Sequence, residues 1–76
     1  NVYAEVNVET LNRFEDGTTV DAVALVEAGV LKNIQDGVRI LGNGELTKKL
    51  TVVANGFTKT AEEKITAAGG KVEKLG

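Results

Sequence analysis

The residues with the clearest chemical potential are the cations in the second half of the chain. Residues 37–76 hold seven basic and four acidic residues, whereas residues 1–36 hold two basic and seven acidic ones. Lys and Arg are the usual partners of nucleic-acid phosphates, so a negatively charged partner would meet the second half. The five cations in or beside predicted turns and the start of a predicted helix are Arg39, Lys48, Lys49, Lys59 and Lys64.

Two hydroxyl side chains stand close to these cations in the sequence. Thr58 and Thr60 lie at the predicted start of the last helix, where free N–H groups favour phosphate oxygens. A contact with an RNA backbone is therefore one interpretation. The other is that scattered lysines only keep an exposed face in water. The formal net charge of −2 favours this second interpretation, because nucleic-acid-binding domains are normally basic.

The segment Gly42-Asn43-Gly44 follows a predicted strand, as phosphate-binding loops do. The third glycine of the dinucleotide-binding pattern would fall at Thr47, and no Gly-Lys-Thr follows. Asn-Gly is also a common tight-turn pair. The residues therefore favour a plain turn over a phosphate-binding loop.

Paired carboxylates occur at Glu15-Asp16 and at Glu62-Glu63, a pattern that acid–base catalysts use. A turn accounts for Asp16 and a helix cap for Glu63, so both pairs are given structural roles. The chain contains no Cys, His or Ser, which removes thiolate, imidazole and serine-nucleophile chemistry and the usual zinc ligands. We therefore predict no enzyme, no cofactor, no metal and no small-molecule substrate.

The elements that position these residues follow from apolar periodicity and turn chemistry. Apolar and polar residues alternate over residues 2–8, which predicts a first strand with one buried face. Leu11 and Phe14 are three apart and predict one helical turn. Asp16-Gly17 predicts a chain reversal.

A first helix is predicted to begin at a cap formed by Thr18 or Thr19, with Asp21 in its first turn. It should run to about Ala28, with Gly29 in the left-handed position that ends many helices. Residues 30–36 form a predicted connection that ends at the turn pair Asp36-Gly37.

Short strands are predicted at residues 38–41 and 50–54, the second one stopped by Asn55-Gly56. The polar segment 45–49 between them is either a long loop or the start of the returning strand. No apolar run is long enough to cross a membrane, so no membrane partner is expected.

The last helix has a capping-box pattern in Thr60-Ala61-Glu62-Glu63, in which Thr60 and Glu63 cap each other's backbone N–H groups. Its buried stripe is predicted to be Ala61, Ile65 and Ala68, with Gly69-Gly70 as its end and residues 71–75 as a final strand.

The element order is therefore strand, helix, strand, strand, helix, strand. Strands joined through helices pair in parallel, so we predict a small single α/β domain with mainly parallel short strands. The aromatic residues are too few and too scattered for a base-stacking surface, so they are predicted to lie in the core. They are Tyr3, Phe14 and Phe57.

Residues 37–70 closely resemble the C-terminal signature of the bacterial large-subunit ribosomal proteins numbered fifteen. The shared pattern is a basic residue, two apolar residues, a glycine turn, the run Leu-Thr-Lys-Lys-Leu-Thr-Val, then Phe-Thr and an alanine, an isoleucine and a glycine at fixed offsets. In this chain the pattern starts at Arg39 and ends with Ala61, Ile65 and Gly69. Leu11-Asn12-Arg13-Phe14 and Val26-Glu27-Ala28-Gly29 also look like this family, so the similarity covers nearly the whole chain.

The resemblance implies a structural constituent of the large ribosomal subunit in the cytoplasm, acting in translation. Such a protein binds large-subunit rRNA, contacts neighbouring large-subunit ribosomal proteins and supports assembly. The resemblance also implies that residues 1–76 are the compact C-terminal domain and that a basic, glycine-rich N-terminal extension precedes them. Because the chain has no Met and opens at Asn1, we expect upstream residues. Val53 and Asn55 stand where relatives often carry basic or imidazole side chains, which argues against direct RNA contact by residues 50–54.

Two other classes of protein stay open. A small protein–protein interaction module without RNA binding would expose a contiguous apolar patch instead of a basic one. A small-molecule-binding or enzymatic domain would need a concave pocket with convergent polar groups, and the sequence offers no candidate set for one.

Overall fold

The computed structural model describes residues 3–32 and 37–75. Within these ranges the chain forms six strands, one 3₁₀ helix and two α-helices. In chain order they are β1 (Ala4–Asn7), the 3₁₀ helix (Val8–Arg13), β2 (Thr19–Val20), α1 (Ala22–Glu27), β3 (Val38–Leu41), β4 (Thr51–Ala54), β5 (Gly56–Phe57), α2 (Lys59–Ala67) and β6 (Lys71–Lys74). The structure confirms the predicted α/β class and adds the two-residue strands β2 and β5, which the sequence did not indicate.

The strands form two three-stranded parallel sheets. One sheet has the order β1-β3-β5 and the other the order β2-β4-β6, so successive strands alternate between the sheets. The predicted parallel pairing is confirmed: Val6 lies opposite Ile40 in the first sheet and Val52 opposite Val72 in the second. Among the described strands, each one therefore pairs with strands two places away in the chain and not with its immediate neighbours.

A single cluster of buried apolar side chains joins both sheets and all three helices. Val6 and Ile40 come from one sheet, Val52 from the other, and Leu25 and Ile65 from the two α-helices. The remaining members are Val8, Leu11, Val20, Val38, Leu46, Leu50, Ala54 and Ala61. Burial of this set drives folding, because removing apolar surface from water contributes about 25 cal/mol per Å².

The start of α1 differs from the sequence prediction. Thr19 lies in β2, paired with Thr51, and Val20 beside it is fully buried, so neither Thr18 nor Thr19 is the cap. Asp21 is the cap, and its Oδ1 accepts a 2.9 Å hydrogen bond from the Ala24 N–H. Asp is among the strongest capping residues, and sheet pairing takes up the threonine that precedes it.

The start of α2 also differs from the prediction, by two residues. The Thr58 hydroxyl accepts a 3.1 Å hydrogen bond from the Ala61 N–H and caps the helix, so the predicted box of Thr60 and Glu63 is wrong. The cause is β5, which pairs with β3 and is followed by a bond from the Thr58 N–H to the Ile40 carbonyl. That pairing brings the chain into the helix earlier than the local pattern indicates.

The other predicted elements are in place. The Asp16-Gly17 turn, the glycine ends of both helices and the buried stripe of Ala61 and Ile65 are confirmed, with Ala68 partly buried against the core. The first strand ends at Asn7, because Val8 begins the 3₁₀ helix. Residues 45–49 form a loop, which settles the open alternative, and the turn residue Asp36 lies outside the described residues. Neither α-helix has the length and apolar character required to span a bilayer.

Candidate nucleic-acid interface

Asn55 joins the two sheets at the point where the chain passes from β4 to β5. Its backbone N–H donates to the Val38 carbonyl at 2.9 Å, and its side-chain Oδ1 accepts from the Val38 N–H at 2.9 Å. Asn55 therefore satisfies both backbone groups of Val38, the first residue of β3. This contact holds the edge of one sheet against the end of the other.

A groove lies beside this junction, on the face of β3 that carries Arg39. Its volume is about 690 Å³, and we call it the sheet-junction groove. Arg39 lies opposite Gly56 on one side and opposite Glu5 on the other in the parallel register. The residues that line the groove are Tyr3, Arg39, Asn55, Gly56, Phe57, Lys74 and Leu75.

Tyr3 corrects the prediction that the aromatic residues lie in the core. It is 41% exposed and lines the sheet-junction groove. Phe14 and Phe57 do pack against the core as partly buried side chains, as predicted. Tyr3 differs because it shares the face of β1 that carries Glu5, whereas the buried Val6 lies on the opposite face.

A second groove lies at the start of α2, and we call it the helix-start groove. Its volume is about 330 Å³, and it is lined by Leu41, Gly42, Asn43, Thr58 and Thr60. The structure thus brings the glycine turn and the two threonines, which the sequence suggested separately, to one place. A Cβ on Gly42 would lie 2.6 Å from the Thr60 Cβ and 2.8 Å from the Ala61 nitrogen, so only glycine lets the turn approach the helix so closely.

Lys64 holds the glycine turn against α2. Its Nζ donates to the carbonyls of Gly42, at 2.9 Å, and of Gly44, and it lies 3.8 Å from the carboxylate of Glu45. The side chain is only 29% exposed. These contacts give Lys64 a structural role, and its predicted phosphate contact stays a prediction that must compete with them.

Lys48 and Lys49 belong to the loop before β4, and an acidic residue fixes its backbone. The Lys49 N–H donates to Asp16 Oδ1 at 2.8 Å, and the Lys49 carbonyl accepts from the Gly17 N–H at 2.7 Å. This contact supports the structural interpretation of Asp16. Lys48 is half-buried and Lys49 exposed.

The five predicted cations do not share a single element. Arg39 is exposed on β3, Lys59 and Lys64 belong to α2, and Lys48 and Lys49 belong to the loop 45–50. In the part of the chain that the structure describes, the ion pair of Lys64 with Glu45 is the only one. The other four charges are therefore available to an external partner, whereas Lys64 is already engaged.

Sequence reasoning missed the contribution of Lys74 and Tyr3 to the sheet-junction groove. A signal for Tyr3 was present, because the alternation that buries Val6 places Tyr3 and Glu5 on the outer face. No local signal existed for Lys74, which meets Arg39 only because Asn55 brings the two sheets together.

Comparison with known protein families identifies the chain. Residues 5–73 match a family model that describes the ribosomal proteins 50S-L15 and 50S-L18e together with their 60S counterpart. Since this match spans nearly the whole sequence, the chain belongs to that family of ribosomal proteins. The resemblance drawn from the signature within residues 37–70 is thereby confirmed at the level of the family.

Proposed function

We propose that this chain is a structural constituent of the large ribosomal subunit that binds large-subunit rRNA and supports its assembly in the cytoplasm. The family match over residues 5–73 carries this proposal. Neighbouring large-subunit ribosomal proteins are further partners in it. The mechanism is docking of a rigid surface onto RNA, with no covalent step.

The phosphate contacts in this proposal are the cations with no ion-pair partner among the described residues. Arg39, Lys48, Lys49 and Lys59 each neutralise a phosphate and release counterions. Lys64 contributes mainly by holding the glycine turn in place, although its charge also lies beside the helix-start groove.

The helix-start groove supports a second kind of phosphate contact. The N–H groups at the start of a helix and its dipole favour an anion, and the Thr58 and Thr60 hydroxyls line the same groove. The cap itself is a neutral hydroxyl, so the positive end of α2 is not already balanced by a carboxylate of the capping residue.

The acidic balance of the domain fits a division of labour. With a formal charge of −2, these 76 residues hold RNA through a few local contacts. In this proposal a basic, glycine-rich extension on the N-terminal side of the domain supplies most of the phosphate neutralisation, and this compact domain fixes orientation.

Filter binding of the 76-residue chain to a large-subunit rRNA fragment at low and high salt tests the proposal. We expect weak binding without sequence preference, and a salt dependence that becomes shallower when Arg39, Lys48, Lys49 and Lys59 are changed to Gln. Each phosphate contact that a substitution removes should reduce the slope of log K against log salt by roughly 0.9 on duplex regions. Lys32→Gln, on an exposed residue of the acidic half, is the matched control.

Two results would contradict the proposal. Nanomolar binding that does not respond to salt would exclude phosphate contacts as its main source. Retention of ribosomal partners from a lysate after nuclease treatment, without any binding to the purified rRNA fragment, would favour the alternative of a protein–protein interaction module.

A further inference from the structure

We propose that the sheet-junction groove binds one unpaired RNA nucleotide, whose base stacks on Tyr3 and the Arg39 guanidinium and whose phosphate is neutralised by Lys74. This inference rests on the RNA binding proposed above and names the part of the RNA that one surface takes. Three observations support it: the exposure of the aromatic ring, the pairing state of the two cations and the open face beside Gly56.

The exposed apolar side chains of the domain are concentrated at this groove. Of the three large hydrophobic residues that are exposed in the described ranges, Tyr3 and Leu75 line it, and the third, Val23, lies on α1. Tyr3 and Leu75 are 41% and 47% exposed. Single exposed apolar residues are ordinary, but two that share one groove with cations mark a surface that favours a partner.

Arg39 and Lys74 supply the charge that an RNA partner requires. Within residues 3–32 and 37–75, neither has a carboxylate at ion-pair distance. A guanidinium is planar and stacks on aromatic faces, so Arg39 adds a second flat surface beside Tyr3, whereas Lys74 acts as a point charge. Glu5 lies opposite Arg39 across the strands and lowers the local positive charge.

Gly56 keeps the face beside Arg39 open. It is the register partner of Arg39 on β5, and a Cβ there would lie 3.5 Å from the Arg39 Cγ, at ordinary contact distance. A side chain is therefore sterically possible at this position, but its absence leaves a flat area next to the guanidinium. A planar base can occupy such an area.

An unpaired nucleotide fits this combination better than a duplex. Its base exposes a π-face that a paired and stacked base hides, and its phosphate lies within one nucleotide of that face. Base stacking on aromatic side chains tolerates any sequence, which agrees with binding that has no sequence preference. A peptide partner would use the apolar surface without a need for both cations.

The chain contains its own reporter for this contact. Tyr3 is the single Tyr and there is no Trp, so the tyrosine fluorescence of the protein comes from the groove alone. The experiment titrates the 76-residue chain at low salt with a single-stranded oligoadenylate and, separately, with an RNA duplex of the same length. N-acetyltyrosinamide in the same RNA solutions corrects for light absorbed by the RNA.

We expect saturable quenching with the oligoadenylate and much weaker quenching with the duplex. Tyr3→Leu, which keeps apolar bulk, should weaken oligoadenylate binding about five-fold or more in a filter assay, and Tyr3→Phe should leave it nearly unchanged. Arg39→Lys should weaken it although the charge is kept, and Glu5→Gln should strengthen it. Val23→Ala is the matched control, and thermal unfolding of each variant confirms that the fold is kept.

The outcomes separate this inference from the proposed function. Equal binding of both RNAs, without quenching and without an effect of Tyr3→Leu, would overturn the groove site and leave rRNA binding intact. Failure to bind either RNA, or an rRNA fragment, would overturn both proposals. Quenching by a peptide from a neighbouring ribosomal protein, with none by the oligoadenylate, would assign the groove to a protein partner and overturn the nucleotide.

Discussion

The two α-helices have a similar C-terminal design and opposite chemistry at their starts. Each ends in a glycine with positive φ, +78° at Gly29 and +92° at Gly69, before the chain turns away. At its start, α1 is capped by the carboxylate of Asp21, whereas α2 is capped by the neutral hydroxyl of Thr58. The positive end of α1 is thus already balanced inside the protein, and that of α2 is available to an outside anion.

The same contrast holds for the cations that tie each helix to its surroundings. The Arg13 guanidinium donates to the Ala28 carbonyl at the end of α1 at 3.0 Å, in an exposed position. Lys64 of α2 makes its bonds to Gly42 and Gly44 in a half-buried position. One helix is therefore fixed mainly by packing, and the other by packing together with a charged contact to the turn at the helix-start groove.

The largest expected effect tests whether the helices share one core in spite of their different ends. Leu25→Ala in α1 and Ile65→Ala in α2 should each lower the free energy of unfolding by about 2–5 kcal/mol, because both side chains are fully buried. Urea unfolding measures this loss. Val23→Ala, on the exposed side of α1, is the control and should stay within about 0.5 kcal/mol. If either core truncation behaves like this control, that helix is not part of the cluster.

The next effect concerns the two cationic ties. Lys64→Gln should lower the free energy of unfolding by about 1.5 kcal/mol or more, since it removes charge-assisted bonds to two carbonyls in a half-buried position. Arg13→Gln should cost less, because its bond is exposed to water. Thermal unfolding of the pair at equal salt gives the comparison. Equal losses would show that burial of Lys64 adds nothing to its contact.

A smaller effect distinguishes the observed cap of α2 from the one that its sequence suggests. Thr58→Ala should lower the free energy of unfolding by about 1 kcal/mol, because the Ala61 N–H loses its acceptor. Thr60→Ala should change it by less than about 0.5 kcal/mol, since Thr60 lies inside the first turn and is exposed. The opposite order in urea unfolding would restore the capping box of Thr60 and Glu63.

The smallest effect makes the start of α2 resemble that of α1. Thr58→Asp keeps an acceptor for the Ala61 N–H and so keeps the fold, but it places a carboxylate in the helix-start groove. Binding to an rRNA fragment at low salt should weaken about two- to five-fold. Thr58→Asn, an uncharged cap, is the control and should bind nearly as well as the original chain. Unchanged affinity in the Asp variant would remove this groove from the RNA surface.

The class of fold and most elements could be predicted because they depend on local patterns. Alternation marked β1, and the spacing of Ala61 and Ile65 marked the buried stripe of α2. The errors at the helix starts have a single cause. Thr19 and Gly56 belong to two-residue strands whose existence depends on partners far along the chain, and no local pattern shows such pairing.

The candidate site was predictable in part for the same reason. The charges of Arg39 and Lys59 and the glycine turn could be found from residue type and position alone. The engagement of Lys64 with the turn, and the meeting of Tyr3 with Lys74, depend on how α2 and the two sheets pack together. Side-chain availability is a tertiary property, so composition alone could not separate an engaged lysine from a free arginine.

The alternation of strands between the sheets has a consequence for biosynthesis. Ala4 must find Val38, and Thr51 must find Lys71, so every pairing waits for a later stretch of polypeptide. Pairings that are distant in the chain form slowly, because loop closure comes before any reward from contact. The second sheet is complete only when β6 has left the peptide exit channel. Emergence of β6, rather than synthesis of any earlier segment, therefore sets the earliest moment at which this domain can fold.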